Sequence, residues 1–333
     1  MIDQDGLDRL ASRALEFAPG AGDSAFAAML DFARAVLDER GPVTLRPPGD
    51  LPPDRLCCAI TVVGSTMALG EQPPRGDEPL RAVRALENRL GKPIGAVAAL
   101  NAAAENPLLA VITAAQCGVP LADGDGTGRV FPLLEQTTFA IGGVAPAPLA
   151  VASSLGDVAL VDTAPHRVED LVRPLVLAQG GWAVAACYPM STEELAATLV
   201  PGTLSAMLDP APPQREVRTL CRGRIAVVEH SARRHPRLPS RPASVVIHEL
   251  GGLERLVRLE AHNEVVLALT DGAVAASVPD LICLLSVDDG MVVDIDAATA
   301  GMEVIVVVLP AAPAWHTEEG HRIGGLEAFG IAR

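Results

Sequence analysis

Two hydrophobic rhythms share this chain, and the change from one to the other constrains its fold more than any single motif does. Up to about residue 160, segments with helical spacing of apolar residues alternate with short apolar runs that suit buried strands. Gly6–Phe17, Ala25–Glu39, Glu78–Leu90 and Pro107–Cys117 read as helices, and Cys57–Val63 and Ile94–Leu100 as strands. In Glu78–Leu90, Leu80, Val83, Leu86 and Leu90 fall on one side of a 3.6-residue helix. Asp23 or Ser24 suits the N-cap of the helix that follows. Alternation of this kind builds an α/β layer. His166–Gln179 and Ser191–Leu208 keep the helical spacing, with a strand-like Gly180–Tyr188 between them.

Beyond Pro210 the rhythm shortens. Arg224–Glu229, Ser244–Glu249, Arg255–Ala261, Val265–Leu269, Leu281–Ser286 and Glu303–Leu309 are rich in Val, Ile and Leu, and Gly251-Gly252, Asp271-Gly272 and Asp289-Gly290 punctuate them as turns. The expected fold class is an α/β N-terminal domain plus a mostly β C-terminal domain, a two-domain α+β protein. Residues 1–165 carry the α/β part; residues 166–333 supply a helical connector and then the β-rich domain. A length of 333 residues accommodates two cores. Aromatic residues are only 3% of a chain that is 49% hydrophobic, so Val, Leu, Ile and Ala must do most of the packing.

A net charge of −15 opposes binding to nucleic acid or to anionic lipid. The nearest thing to a basic cluster, Arg233, Arg234, His235 and Arg237, lies in a Pro-rich stretch that reads as a loop. The N-terminus, MIDQDGLDRL, lacks the basic and apolar regions of a secretory signal. The run around Ala96–Ala115 comes nearest to a membrane span, but Asn101, Glu105, Asn106 and Pro107 interrupt it. The six cysteines form no C-x-x-C pair. A reduced, cytoplasmic protein without membrane or nucleic-acid partners is the expectation.

The most suggestive stretch for chemistry is Ala122–Phe139, which sets Asp123, Asp125 and Arg129 among Gly124, Gly126 and Gly128. Glycines let backbone approach a ligand closely, so the stretch reads either as a site loop or as a surface turn whose charges face water. Gly20-Ala21-Gly22-Asp23 reads either as an anion-holding loop at a helix N-terminus or as an ordinary turn. It lacks the Gly-Lys-Ser/Thr of a P-loop, and no nucleotide cofactor is expected. Glu71, in GSTMALGE after the strand Cys57–Val63, is either a site residue or a solvated acid. Glu105 and Asn106 are either exposed caps or part of a polar site, because burying them unpaired is costly. The histidines show no metal-ligand spacing, so a metal would need separated residues to converge.

Several ordered motifs resemble the S-methyl thiohydantoin desulfurase family, whose members are associated with hydantoinase and oxoprolinase enzymes. They are GAGD at Gly20–Asp23, GSTMALGE at Gly64–Glu71, GDE at Gly76–Glu78, GVPLADGDGTGRVFP at Gly118–Pro132 and QTTF at Gln136–Phe139. Further along come GGWAVAACYPMS at Gly180–Ser191, GTLS at Gly202–Ser205, HNE at His262–Glu264, DGAVAASVPDLI at Asp271–Ile282 and GGLEAFG at Gly324–Gly330. Together, in this order, they cover nearly the whole chain.

The resemblance implies an N-terminal α/β domain and a C-terminal β-rich domain. It also implies removal of sulfur from a thiohydantoin ring with a divalent metal such as zinc, which lowers the pKa of an attacking water. Asp123, Asp125 and Arg129 are then the catalytic candidates. The carboxylates would orient water or bind metal, with Glu105 a further ligand candidate, and Arg129 would pair with a substrate carboxylate or ring oxyanion. Gly20, Gly22, Asp23, Glu71, Asn106, Thr137 and Thr138 are the implied substrate-binding residues. The expected ligand is a small cyclic amide or thioamide, and a homo-oligomer and a hydantoinase-like partner are further expectations. The chain departs from the family where it has Gly20-Ala21-Gly22 for a fuller glycine run, Gln72 for lysine, and Ala102-Ala103-Ala104-Glu105 for an acid with paired glycines. These departures motivate an alternative role as a non-catalytic ligand-binding or accessory subunit.

Overall fold

The computed structural model describes residues 1–18, 23–211, 216–232, 237–238 and 241–331. The chain forms two compact units: Met1–Val130 with Thr137–Pro213, and Phe131–Gln136 with Gln214–Arg333. Among the described residues, no helix is long and apolar enough to cross a membrane.

The first unit is built on one sheet. Its strands are β1 (Leu45–Arg46), β2 (Leu56–Gly64), β3 (Ile94–Ala99), β4 (Leu121–Asp125), β5 (Leu149–Ala152), β6 (Val158–Val161), β7 (Trp182–Ser191) and β8 (Val200–Pro201). They lie in the order β1-β4-β3-β2-β7-β5-β6, with β8 also paired to β4. β1, β4, β3 and β2 are parallel; β7 runs antiparallel to β2. The unit's helices are α1 (Gln4–Ala14), α2 (Asp23–Arg40), α3 (Thr66–Glu71), α4 (Glu78–Leu90), α5 (Asn106–Cys117), α6 (Thr138–Ile141), α7 (Val168–Ala178), α8 (Thr192–Thr198) and α9 (Thr203–Leu208).

The packing follows from the sequence pattern. α4 and α5 make the crossovers from β2 to β3 and from β3 to β4, each to the next parallel strand, and right-handedness puts both on one face. α4 buries Ala82, Val83 and Leu86 and exposes its charged side, whereas α5 is buried from Pro107 through Ala114. A helix buried on all sides needs an apolar sequence throughout, and PLLAVITA supplies it. β3 (IGAVAA), β5 (LAVA) and β7 (WAVAACYPMS) are rich in alanine, a residue depleted in strands generally. Packing overrides that propensity here, since the small side chains sit in a fully buried core with Ile60, Leu86, Leu109 and Trp182.

Several elements differ from the sequence expectation. Asp123 and Asp125 belong to a strand, β4, and not to a free turn. Ser191–Leu208 is two short helices, α8 and α9, parted by β8 and by Gly202. A capping box between Ser191 and Glu194 starts α8 after β7 has ended. Part of the GSTMALGE segment is itself a helix, α3, capped by Ser65. β5 and β6 were not anticipated, because four-residue strands are too short to show a period. β7 lies at the middle of the sheet, so the helical stretch around it clusters with the first unit.

The second unit is a closed barrel of β9 (Arg218–His230), β10 (Ala243–Glu249), β11 (Leu256–His262), β12 (Glu264–Thr270), β13 (Ala273–Ser286) and β14 (Glu303–Leu309). All neighbours are antiparallel, and β14 returns to pair with β9. Alternation along β10, with Ala243, Val245 and Ile247 buried and the residues between them less so, marks its inward face. Cys221 points into this core with Val245, Leu259 and Val306. A last helix, α10 (Glu318–Gly324), follows. In the same unit Phe131 stacks on the buried Trp315 with ring centroids 4.4 Å apart.

Candidate functional site

β2, β3 and β4 run parallel, so their carboxyl ends share the edge where open α/β sheets place ligands. Ile60, Ala99 and Asp125 stand at one level across these strands. β3 and β4 stop there, but β2 continues to Gly64 with β7 along its other side. After Leu100 donates its N–H to the Ile60 carbonyl at 3.0 Å, the chain leaves β2 and opens a notch beside Thr61 and Val62.

A carboxamide fills the place of the missing strand. Asn106, the first residue of α5, accepts the Val62 N–H on Oδ1 at 2.8 Å, and the Thr61 hydroxyl lies 3.0 Å from the same atom. Asn106 Nδ2 donates to Asn101 Oδ1 at 3.2 Å, and the Ala103 N–H donates to that oxygen at 3.2 Å. Leaving the Val62 N–H unpaired would cost about 1–3 kcal/mol, which gives the carboxamide a definite structural task. Glu105 immediately precedes this helix and is 3% exposed. Its Oε1 is buried without a hydrogen-bond partner among the described residues. Burial pushes the Glu105 carboxyl above the ordinary glutamate range. Glu105 is therefore not an exposed cap, and half-buried Asn106 is tied through its carboxamide to Thr61, Val62 and Asn101.

The Gly/Asp-rich loop is tied to the same edge. The Gly126 N–H reaches the Ala99 and Leu100 carbonyls at 3.2 and 3.0 Å. Asp125 is fully buried, and its Oδ1 accepts the Thr127 N–H at 2.8 Å, the Thr127 hydroxyl at 3.0 Å and the Gly128 N–H at 2.6 Å. Burial raises its carboxyl above the ordinary range, against the Gly128 and Thr127 donors, which favour the anion. Asp125 is thus the internal brace of the loop. The Thr127 hydroxyl, with one hydrogen to share between the two oxygens, also lies against the Arg129 carbonyl, and Arg129 Nε donates to Val130 O at 3.1 Å. The Arg129 side chain is buried, not spread on the surface.

Thr137 and Thr138 complete the brace. Thr138 donates its N–H and its hydroxyl to the Gly126 carbonyl at 2.7 and 2.9 Å. Thr137 caps α6, accepting the Ala140 N–H at 3.0 Å. Phe139 then packs so closely on Gly126 that a Cβ there would lie 2.4 Å from its ring. At Gly124 a Cβ would lie 2.4 Å from the Val200 carbonyl, so the approach of β8 demands glycine between the two aspartates. Asp123 turns to α9, accepting the Ser205 N–H at 2.9 Å.

The structure therefore gathers Asp125, Arg129, Thr137 and Thr138 on one braced loop and joins it, through Leu100, to the Asn101–Glu105–Asn106 notch. Asp123 is committed to the α9 terminus, and Glu71 is exposed at the last residue of α3. Gly20 and Gly22 lie outside the described residues, and Asp23 is described only as the residue that opens α2. Thr61 and Asn101 are additional members that the sequence reading did not assign to the site. Their signal was present: Asn101 is a polar residue in an otherwise apolar run, five residues before Asn106.

No group of three or more His, Cys, Asp or Glu side chains among the described residues converges in a way that could hold a metal ion. Asp125 Oδ1 already accepts from three donors, and Asp123 faces a helix terminus. The described carboxylates do not fit the divalent metal that the sequence resemblance implies, and no chemical step is routed through one.

Comparison with known proteins agrees with this architecture. The model of the S-Me-THD-like N-terminal domain matches residues 6–163, and that of the S-Me-THD-like C-terminal domain matches residues 163–209 and 212–333. No curated protein matches the chain. Among solved structures, an X-ray crystal structure of a protein from Chromobacterium violaceum is similar in fold. Its TM-score is 0.72 and its identity 20%, over 96% of this chain and 94% of that one.

Proposed function

The chain belongs to the S-Me-THD-like family, and from that premise we propose that it is a hydrolase of the desulfurase type acting on a thiohydantoin- or hydantoin-like ring at the carboxyl edge of β2, β3 and β4. The observation that carries the reading is the buried polar notch of Asn101, Glu105 and Asn106, pinned beside the Gly126 loop. Such a ring is a planar, neutral amide or thioamide with N–H donors and C=O or C=S acceptors along its rim. A site of neutral carboxamides and a carboxyl held toward its protonated form suits that rim better than a cluster of full charges would.

The reaction proposed is hydrolysis. The oxygen of water attacks the ring C=S or C=O carbon while Glu105, in its ionised fraction, takes the water's proton. With a thiocarbonyl, Glu105 returns that proton to sulfur and then takes the proton of the added hydroxyl as the C–S bond breaks, so that a ring carbonyl remains, HS⁻ departs and the second proton leaves Glu105 to make hydrogen sulfide. Burial that makes this carboxyl hold a proton more readily than an ordinary glutamate suits a group that must both take and return one. Arg129 is the cation of the loop, and we assign it to an anionic substituent of the substrate.

The test is to incubate the purified protein with 2-thiohydantoin, with and without added divalent metal, and to follow sulfide by colorimetry and hydantoin by mass spectrometry. Sulfide and hydantoin in equal amounts support the reading, and Glu105→Gln should abolish them. Tight ring binding without turnover under either condition favours the accessory, ligand-binding role. Neither binding nor turnover of either ring refutes the assignment of this edge.

A further inference from the structure

The network in the notch fixes the orientation of Asn101, and that orientation has a chemical meaning. The Val62 N–H can only donate, so the atom it meets at 2.8 Å on Asn106 must be the carbonyl oxygen. Asn106 Nδ2 is then the atom facing Asn101, and the Asn101 atom that receives it at 3.2 Å must be an oxygen. The Ala103 N–H, meeting that atom at 3.2 Å, requires the same. Two amides are thereby oriented in series by one backbone donor. Asn101 Nδ2 is left with both N–H groups directed away from this network, and it donates to no described residue. Asn101 is 7% exposed and its Nδ2 is not shut off from solvent, so a small molecule can reach the donor.

Resting on the ring-processing function argued above, we infer that Asn101 is the donor that receives the ring carbonyl or thiocarbonyl and stabilises the oxyanion formed when water adds to it, with Asn106 as the residue that positions it. The location fits the role. Asn101 follows Leu100, whose carbonyl holds Gly126, and stands four residues before Glu105, so along the chain it links the braced loop to the start of α5. A donor held by a chain of hydrogen bonds that begins at β2 needs no reorganisation as charge develops, which is how preorganised donors lower barriers.

The experiment compares wild type with N101D in binding and turnover of 2-thiohydantoin, using calorimetric titration and sulfide release, with a thermal melt of each protein. N101D keeps the shape and the Oδ1 acceptor but removes both donors. The expected result is a loss of binding of about tenfold or more and a fall in kcat of about 10²-fold, with the melt shifted far less than those losses imply. If N101D does not fold, N101A, which also lacks both donors and carries no charge, makes the comparison. Asn106→Asp removes the donor that orients Asn101; its kcat should fall with Asn101 still in place. Wild-type binding and turnover in N101D or N101A overturn the Asn101 assignment and leave the ring-processing function standing. A wild type that neither binds nor converts the ring overturns that function and the Asn101 assignment with it.

Discussion

Replacing Glu105 by Gln should make the first unit more stable while destroying its proposed chemistry, and the two effects have one cause. Glu105 Oε1 is buried without a partner, and its carboxyl is pushed above the ordinary glutamate range by burial. The folded protein therefore holds this proton more tightly than the unfolded chain does. Stability from this group is complete below the unfolded glutamate range and is lost as pH rises through that range toward the folded value. Glutamine has nearly the same shape and does not titrate. Wild type and Glu105→Gln should be close in stability near pH 4. They should diverge as pH rises, until the variant leads at pH 8. For a unit of this size each kcal/mol of that lead appears as about 2–4 °C in Tm. Helices α1–α9 lie in the first unit and the seven-residue α10 in the second, so helical ellipticity reports mainly the melting of the first. Melts at pH steps between about 4 and 9 make the test. Parallel pH profiles for the two proteins, or a variant that melts lower than wild type at pH 8, would refute the claim that Glu105 is an orphan acid.

Three further outcomes follow from the brace around the Gly126 loop and the turn before α5. Asp125→Ala removes the acceptor of three donors and should cost about 2–4 kcal/mol in urea denaturation, whereas Asp125→Asn, which keeps Oδ1, should cost less than half of that; equal losses would show that charge, not geometry, holds the loop. Gly126→Ala would push a Cβ to 2.4 Å from the buried Phe139 ring and should cost about 1–3 kcal/mol, with Phe139→Leu in the same chain restoring part of the loss; a neutral effect would mean that the ring can move aside. Ala104 is held at φ +50, a conformation that favours glycine, and Ala104→Gly should raise stability by about 0.5–1 kcal/mol in the same assay; a loss would show that the backbone relaxes without strain.

How much of this was legible in the sequence differs from element to element. α4 and α5 were readable because their apolar residues repeat with helical spacing or run without a break over a dozen positions. β4 was not readable. LADGD carries two aspartates and a glycine, all poor strand formers, and it becomes a strand because β3, β1 and β8 pair with it. The same failure affected the site. An aspartate among glycines looks alike in sequence whether it works on a ligand or braces its own loop. Three donors tie Asp125 Oδ1 to its own loop, and no sequence pattern reveals them. Asn101 drew notice only for interrupting an apolar run, since its partners lie on α5 and its task depends on a break in pairing between β2 and β3. Barrel closure was equally out of reach, because it rests on pairing between strands far apart in the chain.

That closure sets a kinetic condition on how the second unit is made. The ring is complete only when Glu303 on β14 meets Arg224 on β9, 79 residues earlier. Each hairpin between β9 and β13 can form locally, but one flank of β9 stays open until the last strand arrives. Bringing ends that far apart in sequence together costs chain entropy before any ladder bond repays it, so barrels of this connectivity fold slowly. During that interval the open flank of β9 can pair with another chain instead. The order of synthesis thus makes the first barrel strand the most vulnerable part of the newborn chain, and the final one its protection.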